Sequence, residues 1–434
     1  MRVFRSALVL AALLLAAAPA RGQAVSCTAT GQAAFVRDTL QELYLWYRDV
    51  PDLDPARYAS PEAYLDAARF RPLDSSFTYI TSRAANEALF SDSQFIGLGL
   101  STAVVASELR VLQVFPGSPA EEAGLERGAR IEVVDGRAVS VLVGAGAVDS
   151  AFGPAQAGLE VALEFTRRSG ERRTAVVRKR AVTIPTVSLT RVFAVGGRRV
   201  GYLFFRNFVR PSTAALDQAF AALKEAGVSE LVLDLRYNGG GLVDVAVHLA
   251  SLIGGSPLRD QVFAESRHND RNLRLNETLR FSNPGPALRL DRLIVVATRA
   301  TASASELVIN GLRPYIPVVV VGDRTYGKPV GQYALPFCDQ VLAAVSFAMV
   351  NGAGQGGYFD GLAADCLAAD DLNRDLGSAD EASLAAALRF IDTGSCLTPT
   401  AATHARLDAP LERTAVSAGA GTRGLGWASL VNAY

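Results

Sequence analysis

The sequence predicts a multidomain protein with a helical unit over residues 28–90, a β-rich domain over residues 95–182 and an α/β core over residues 190–395. Three observations lead to this fold class. Apolar residues recur at helical spacing in the first part, short strand-like runs follow in the second, and strands alternate with helices in the third. A length of 434 residues also agrees with two or three domains rather than one.

In the helical unit, apolar residues between Ala33 and Arg48 recur at mostly helical spacing, which predicts a first helix. A second helix is predicted from Pro61 to Arg69, because Ser60 is a favourable N-cap and proline suits the first turn. The aromatic residues of the first stretch are expected in the core of this unit: Tyr44, Trp46 and Tyr47.

The β-rich domain is predicted from short apolar runs bounded by turn residues. A short helix should begin after Ser118, a favourable N-cap, with Pro119 at its first position and Gly124 as its C-cap. The strands are expected at residues 109–114, 130–134, 161–167 and 174–180.

This strand, short helix and strand order, with Ala-Gly-Leu ending the helix, resembles a PDZ domain. A PDZ domain binds a peptide C-terminus as an added strand, and backbone amides of a glycine-containing loop hold the carboxylate. The resemblance implies that protein or peptide substrates are engaged through their C-termini. The alternative, that the glycines only make a tight bend, stays open. The implied loop is Ile96, Gly97, Leu98 and Gly99.

The α/β core is predicted from strands that alternate with helices. The near-continuous apolar run 231–235 is typical of a strand buried on both faces of a sheet. The polar segment 260–290 is expected to be an exposed insertion, and residues 397–434 a flexible C-terminal tail. Further strands are predicted at 200–204, 293–297 and 318–321, and helices at 213–226, 242–252 and 305–312.

Composition and the N-terminus bear on partners and location. Basic and acidic residues both total 43, so nothing in the charge balance favours nucleic acid or an anionic membrane as a partner. Arg2 and Arg5 precede an apolar run over residues 7–18 that ends in small residues, which predicts a signal peptide over residues 1–22. The protein is therefore expected to be exported, periplasmic or secreted, with no transmembrane segment.

Four cysteines in an exported chain make disulfides plausible. We favour a pair between Cys338 and Cys366, which leaves Cys27 with Cys396, although all three connectivities stay open. Ala24-Val25-Ser26-Cys27 matches a lipoprotein signal only in part, so lipid anchoring at Cys27 also stays open.

Three segments that follow core strands carry residues suited to chemistry. Ser303 stands at a predicted helix N-terminus, where free amides can stabilise an oxyanion, although Ser303 or Ser305 could simply cap the helix with Glu306. Lys328 lies between glycines just past a buried strand, where desolvation lowers the pKa of an amine. The glycines of segment 234–241 expose amides that suit an anion, but the spacing of a phosphate-binding loop is absent.

Together these segments resemble peptidase family S41, the tail-specific or C-terminal processing serine peptidases. The family motifs appear as Asp234 to Gly241, Ser303 to Glu306 and Tyr326 to Lys328, and 25 residues separate the serine from the lysine. The resemblance implies a crotonase/ClpP-like α/β core and an acyl-enzyme mechanism without a cofactor. It also assigns roles: nucleophile Ser303, general base Lys328, orienting residue Gln332, and an oxyanion hole at Ala304 with Gly240 or Gly241.

The sequence departs from the family at Pro329, where glycine is usual, and in Gly354 to Asp365, which only loosely matches the closing family motif. A histidine triad is the rival enzyme hypothesis, but His248, His268 and His404 lie beside no motif. No cluster has metal-ligand spacing, so we expect no metal. A catalytically silent peptide-binding protein of the cell envelope is the alternative function.

Overall fold

The computed structural model describes residues 26–397. The predicted signal peptide, residues 1–22, and the predicted tail beyond residue 397 lie outside the described residues. Between residues 26 and 397, no helix is long and apolar enough to cross a membrane.

The N-terminal unit packs short helices around a buried cluster that contains Tyr44 and Tyr64. Its first helix begins four residues before the predicted start, because the Thr28 side chain accepts a hydrogen bond from Gly31 N–H. Ser60 caps the second helix as predicted, accepting from Ala63 N–H at 3.2 Å. The elements are α1 (Ala29–Leu43), α2 (Pro61–Ala68), β1 (Tyr79–Ser82) and α3 (Arg83–Asp92).

A β-rich module follows. Its elements are β2 (Gln94–Gly97), β3 (Leu100–Val105), β4 (Glu108–Val114), α4 (Pro119–Glu122), β5 (Arg130–Val134), β6 (Arg137–Ala138), α5 (Val139–Gly144), α6 (Val148–Ala151), β7 (Glu160–Thr166), β8 (Arg172–Arg178) and β9 (Arg180–Thr183). The main sheet has the strand order β3-β4-β5-β7-β8, with β6 beside β5, and strands β2 and β9 pair separately where the chain enters and leaves the module.

The remaining chain forms two sheets with helices against them. The elements are β10 (Val187–Val195), β11 (Arg198–Phe205), α7 (Ser212–Glu225), β12 (Glu230–Asp234), α8 (Val243–Gly254), β13 (Val262–His268), β14 (Glu277–Arg280), β15 (Leu293–Ala297), α9 (Ala304–Leu312), β16 (Val318–Gly322), β17 (Val330–Phe337), β18 (Gln340–Asn351), β19 (Cys366–Leu367) and α10 (Ala382–Thr393).

The first of these sheets has the order β10-β11-β12-β15-β16-β19, and every pair from β11 onward is parallel. Strands β12, β15 and β16 are therefore neighbours that end at the same edge of the sheet. The segments following their carboxyl ends contain Asn238, Ser303 and Lys328 respectively. This topology brings the three predicted motifs together, as expected for a parallel α/β sheet.

The second sheet was not predicted from the sequence. It is antiparallel, has the order β1-β18-β13-β14, and β17 lies on the other side of β18. The expectation of an exposed insertion at 260–290 is wrong for β13, because Phe263 and Ala264 are fully buried in the main hydrophobic core. The short alternation of polar and apolar residues there gave no clear strand signal, and the pairing partner β18 is distant in the chain.

The predicted disulfide pairing is also wrong. The structure joins Cys27 to Cys338, with 5.8 Å between their Cα atoms, and Cys366 to Cys396, with 5.2 Å. The first bond attaches the N-terminal segment to the turn between β17 and β18. Since a sulfur in a disulfide cannot also carry a thioether-linked lipid, this pairing favours a disulfide over lipid anchoring at Cys27.

Candidate active site

Ser303 occupies a strained turn between β15 and α9. Its φ of 58° and ψ of −115° lie in a region that residues other than glycine rarely adopt, at a cost of about 1–3 kcal/mol. Its N–H donates to Glu306 Oε2 at 2.8 Å, so Ser303 is indeed the N-cap residue of α9. Ser303 is half-buried, whereas Ser305 is fully buried and its hydroxyl donates to the Asn238 carbonyl at 2.9 Å.

The side chain of Lys328 is held by an ordered amide. Its Nζ donates to Gln332 Oε1 at 2.5 Å. The Gln332 Nε2 donates in turn to the carbonyls of Phe77 at 2.5 Å and Ala343 at 2.9 Å. Because both donors of the amide are committed to carbonyls, its oxygen must face the lysine.

Burial lowers the pKa of Lys328 from its ordinary 10.5 to about 8, and the negative charges of Asp74 and Glu306 partly oppose this effect. Burial removes water that stabilises the charged ammonium more than it stabilises the neutral amine, so the neutral form is favoured. A large fraction of the amine is therefore unprotonated in mildly alkaline solution and can accept a proton.

Glu306 joins the serine turn to the lysine loop. One carboxylate oxygen, Oε2, accepts from the amides of Ser303 and Lys328, both at 2.8 Å. The other, Oε1, accepts from Gly327 N–H at 2.7 Å and Thr325 Oγ1 at 2.5 Å. Burial raises the pKa of this fully buried carboxyl, and the four hydrogen bonds act in the opposite direction.

The backbone amides of Ser303 and Lys328 therefore share one acceptor, Glu306 Oε2. Among residues 26–397, however, no hydrogen bond joins Ser303 Oγ to Lys328 Nζ. Hydrogen bonds between reacting groups often tighten only when substrate is bound. The structure thus brings the predicted nucleophile and base to one site without pairing their side chains directly.

Of the predicted oxyanion-hole residues, Gly240 and Ala304 lie beside Ser303, and Gly241 packs against Phe208. A Cβ atom at Gly240 would come within 2.8 Å of Ser303 Cβ and of Ala304 N, so only glycine allows this approach. The Gly240 amide itself donates to Asn238 Oδ1 at 3.0 Å. Within residues 26–397, the amides of Gly241 and Ala304 donate no hydrogen bond, and Ala304 opens helix α9, where the dipole favours negative charge.

The first half of the glycine-loop motif is structural. Asp234 and Arg236 are fully buried and form an ion pair at 2.7 Å, and Arg236 also bonds Glu381 at 2.8 Å. Tyr237 follows with a φ of 62°, and its carbonyl accepts from Arg206. These contacts fix the start of the loop, so Asp234 and Arg236 position the glycines rather than face a substrate.

The predicted peptide-binding loop forms the bend between β2 and β3. Ile96 and Gly97 end β2, and the Leu98 side chain is buried in the core of the module. Gly99 has a φ of 88°, and its carbonyl accepts from Phe115 N–H at 2.9 Å and Ser118 Oγ at 3.1 Å. Strand β3, which follows, is an edge of its sheet.

The described histidines are engaged away from Ser303. His248 Nε2 lies 2.8 Å from Asp217 Oδ1, and the two ring nitrogens of His268 contact Asn276 and Tyr333. His404 lies outside the described residues. In the part of the chain that the structure describes, no group of three His, Cys, Asp or Glu residues is placed to hold a metal.

Sequence reasoning missed two residues of this site and part of the role of a third. The Ser-Ala-Ser-Glu spacing predicted Glu306 as part of a helix cap, but not its hydrogen bonds to the lysine loop. Asp74 and Phe77 could not be predicted, because they lie in a turn of the N-terminal unit that carries no local motif. They reach Lys328 and Gln332 only through the tertiary fold.

Comparison with known proteins agrees with this geometry. The model of peptidase family S41 matches residues 199–366, and the model of the peptidase S41 N-terminal domain matches residues 31–79. Together the two ranges span half of the chain. They include the segments that carry Ser303, Lys328 and the glycine loop.

Individual relatives extend the similarity. The chain is 32% identical over 247 residues to the chloroplastic C-terminal processing peptidase of Tetradesmus obliquus, covering 55% of this chain and 52% of that protein. It is 27% identical over 289 residues to the carboxyl-terminal-processing protease of Synechocystis, covering 64% and 63%. The matches thus span about half to three fifths of the length of these relatives.

A crystal structure of a candidate S41 protease from Bacteroides fragilis has a TM-score of 0.67 at 27% identity, and the match covers 83% of this chain and 97% of that one. A photosystem II D1 C-terminal processing protease, at 24% identity and a TM-score of 0.50, shares the fold. The architecture is a multidomain S41 peptidase fold with an N-terminal domain and an α/β core. The chain belongs to peptidase family S41.

Proposed function

We propose that this protein is an exported serine endopeptidase that cleaves protein substrates with Ser303 as nucleophile and Lys328 as general base. One observation carries the proposal: the backbone N–H groups of a strained, half-buried serine and of a desolvated lysine both donate hydrogen bonds to the same oxygen of Glu306. A serine hydroxyl needs an adjacent base to act as a nucleophile, and a lysine with a pKa of about 8 can serve.

In the first step, the neutral Lys328 amine takes the hydroxyl proton of Ser303 while Oγ attacks the carbonyl carbon of the scissile peptide. The tetrahedral intermediate then collapses, the C–N bond breaks, and the protonated lysine gives its proton to the departing amine. Gln332 keeps the amine oriented throughout, because its oxygen accepts one N–H of Lys328.

An acyl-enzyme on Ser303 remains after the first product leaves. Lys328, neutral again, takes a proton from a water molecule that attacks the ester carbonyl, and Ser303 recovers its proton as the acid product departs. The amides of Ala304 and Gly241 are free to receive the oxyanion in both halves of the reaction. The Gly240 amide is not available to the oxyanion, because it donates to Asn238 Oδ1. Gly240 contributes instead through its lack of a side chain, which allows the loop to approach Ser303 closely.

The β-rich module has a PDZ-like role in this proposal, engaging substrate C-termini or gating the site. The terminal position of β3 in its sheet supports it, since an extended peptide can add to an edge strand as a further strand. Export follows from the predicted signal peptide, and the two disulfides agree with an oxidising compartment.

Incubation with denatured casein tests the activity. We expect the wild type to degrade casein, and Ser303→Ala and Lys328→Ala to lose at least about 10³-fold in rate. Ser305→Ala is the matched control, since Ser305 is buried and its hydroxyl donates to the backbone carbonyl of Asn238. This variant should retain activity if it folds. Full activity in Ser303→Ala would contradict the nucleophile assignment.

The same assay separates the alternative, a catalytically silent peptide-binding protein. A silent protein would bind C-terminal peptides saturably and leave casein intact. The intact set of Ser303, Lys328 and Gln332 argues against this alternative, because binding alone does not require an ordered base.

A further inference from the structure

A turn of the N-terminal unit, residues 74–78, lies against the lysine of the site. Asp74 is fully buried, and its Oδ1 accepts from Thr78 N–H at 2.9 Å. Its Oδ2 accepts from Thr78 Oγ1 at 2.5 Å and Tyr44 OH at 2.8 Å. Three donors on one carboxylate hold this turn in a single conformation.

Phe77, inside this turn, contacts both residues of the base. Its carbonyl accepts from Gln332 Nε2 at 2.5 Å, and its ring centroid lies 5.6 Å from Lys328 Nζ. Phe77 is 7% exposed, and its ring also packs edge-on against Tyr326. Strand β18 anchors the far end of the turn, because Val345 N–H donates to Thr78 Oγ1 at 3.1 Å.

We propose that Asp74 and Phe77 are positioning residues for the general base Lys328, supplied by the N-terminal unit. The proposal rests on the proposed function, in which Lys328 must be neutral and its amine correctly oriented. It gives the N-terminal unit a part in positioning the general base, beyond its packing against the second sheet.

The carbonyl of Phe77 sets the direction of the Gln332 amide. Without this acceptor the amide could turn over and present its NH2 group to the lysine, placing donors against donors. The ring of Phe77 covers one side of the amine and excludes water there. Water exclusion favours the neutral amine.

Asp74 acts on the same amine through its charge. Within residues 26–397, the acidic groups whose charges act on Lys328 are Asp74, from the N-terminal unit, and Glu306, from α9, and both favour the ammonium form. Removing the Asp74 charge should therefore make Lys328 lose its proton at lower pH. Removing the Phe77 ring should have the opposite effect, because desolvation is the largest influence on the pKa of Lys328, and the water admitted should stabilise the ammonium by more than the cation–π contact that is lost.

The pH dependence of kcat/KM for fluorescein-labelled denatured casein tests the proposal. We expect the acid limb of Asp74→Asn to move to lower pH, and that of Phe77→Ala to higher pH, each by on the order of one pH unit. Phe77→Leu should give a smaller shift in the same direction as Phe77→Ala, and it serves if the alanine variant does not fold.

Phe35→Ala is the matched control. Phe35 belongs to the same unit and stacks on Phe337 at 4.8 Å, at the other end of β17 from Lys328. It should lose stability without moving the acid limb. Shifts of opposite sign cannot arise from general destabilisation.

Acid limbs that coincide with the wild type, or that move in the same direction as each other, would overturn the positioning role. That failure differs from failure of the proposed function. In the latter case the wild type itself would not cleave casein, or Ser303→Ala would cleave it equally well, and both proposals would fall.

Discussion

Replacement of Glu306 by glutamine tests how the site is held together. The carboxylate accepts four hydrogen bonds, two on each oxygen. Glutamine offers one acceptor oxygen, so at least two donors would face an NH2 group instead. With about 1.5–3 kcal/mol for each hydrogen bond to a charged group, the loss is roughly 3–6 kcal/mol. Burying a neutral amide is less costly than burying a carboxylate, so we expect a net loss near about 3 kcal/mol.

The loss should also appear in catalysis, because the Ser303 and Lys328 amides would no longer share an acceptor. A displacement of about 1 Å between reacting groups can cost on the order of 10² in rate. Urea unfolding and kcat/KM on denatured casein would measure the two effects. Glu230→Gln is the matched control: Glu230 is largely buried and accepts two hydrogen bonds from Arg292, but it lies at the start of β12, the end of the strand opposite the site.

The control should lose stability with little change in kcat/KM of the folded fraction. A Glu306→Gln variant that retains stability within about 1 kcal/mol and keeps near wild-type kcat/KM would show that the Glu306 carboxylate does not hold the serine turn and the lysine loop together. So would an equal loss of catalysis in both variants, since the effect would then come from destabilisation alone.

Two further predictions concern the base and the glycine loop. The wild-type kcat/KM should rise with pH through about 8, where Lys328 becomes neutral, and fall about tenfold per unit below it; a profile flat from pH 6 to 9 would contradict a lysine base. Gly240→Ala should lose at least about 10²-fold in kcat/KM, because its Cβ would crowd Ser303 and Ala304. Gly136→Ala, also at positive φ but with nothing within 4 Å, should stay active.

Much of the α/β core was predictable because its elements are locally encoded. The apolar run 231–235 and the predicted strand 293–297 correspond to β12 and β15, which are buried. The motifs follow strands that are parallel neighbours, so their meeting at one edge also follows from topology. The roles of nucleophile and base were assigned to Ser303 and Lys328 by the resemblance of their motifs to peptidase family S41, because neither residue identifies its role alone.

The features that were missed depend on partners distant in the chain. Strand β13 pairs with β18, and Cys27 pairs with Cys338 across 311 residues. The local sequence around β13 or Cys27 does not indicate which distant segment is its partner. The 74–78 turn is a similar case. Nothing in the local sequence distinguishes Asp74 from other acidic loop residues, and its influence on Lys328 depends on the tertiary fold.

Glu306 falls between these two cases. Its position three residues after Ser303 predicted a helix cap, and the cap is present. Its bonds to Gly327 and Lys328 depend on the arrangement of β15 and β16, which a capping motif does not reveal. Glu306 therefore both caps a helix and binds a distant loop, and only the helix cap could be predicted from the sequence.

Labelling with a fluorophosphonate reagent measures whether Lys328 activates Ser303, as we propose. Peptide mapping by mass spectrometry should find the adduct on Ser303 of the wild-type protein, with a labelling rate that rises through about pH 8. Lys328→Ala should label at least about 10²-fold more slowly. An adduct on Ser305 or another residue, or a rate that does not depend on Lys328, would contradict the account.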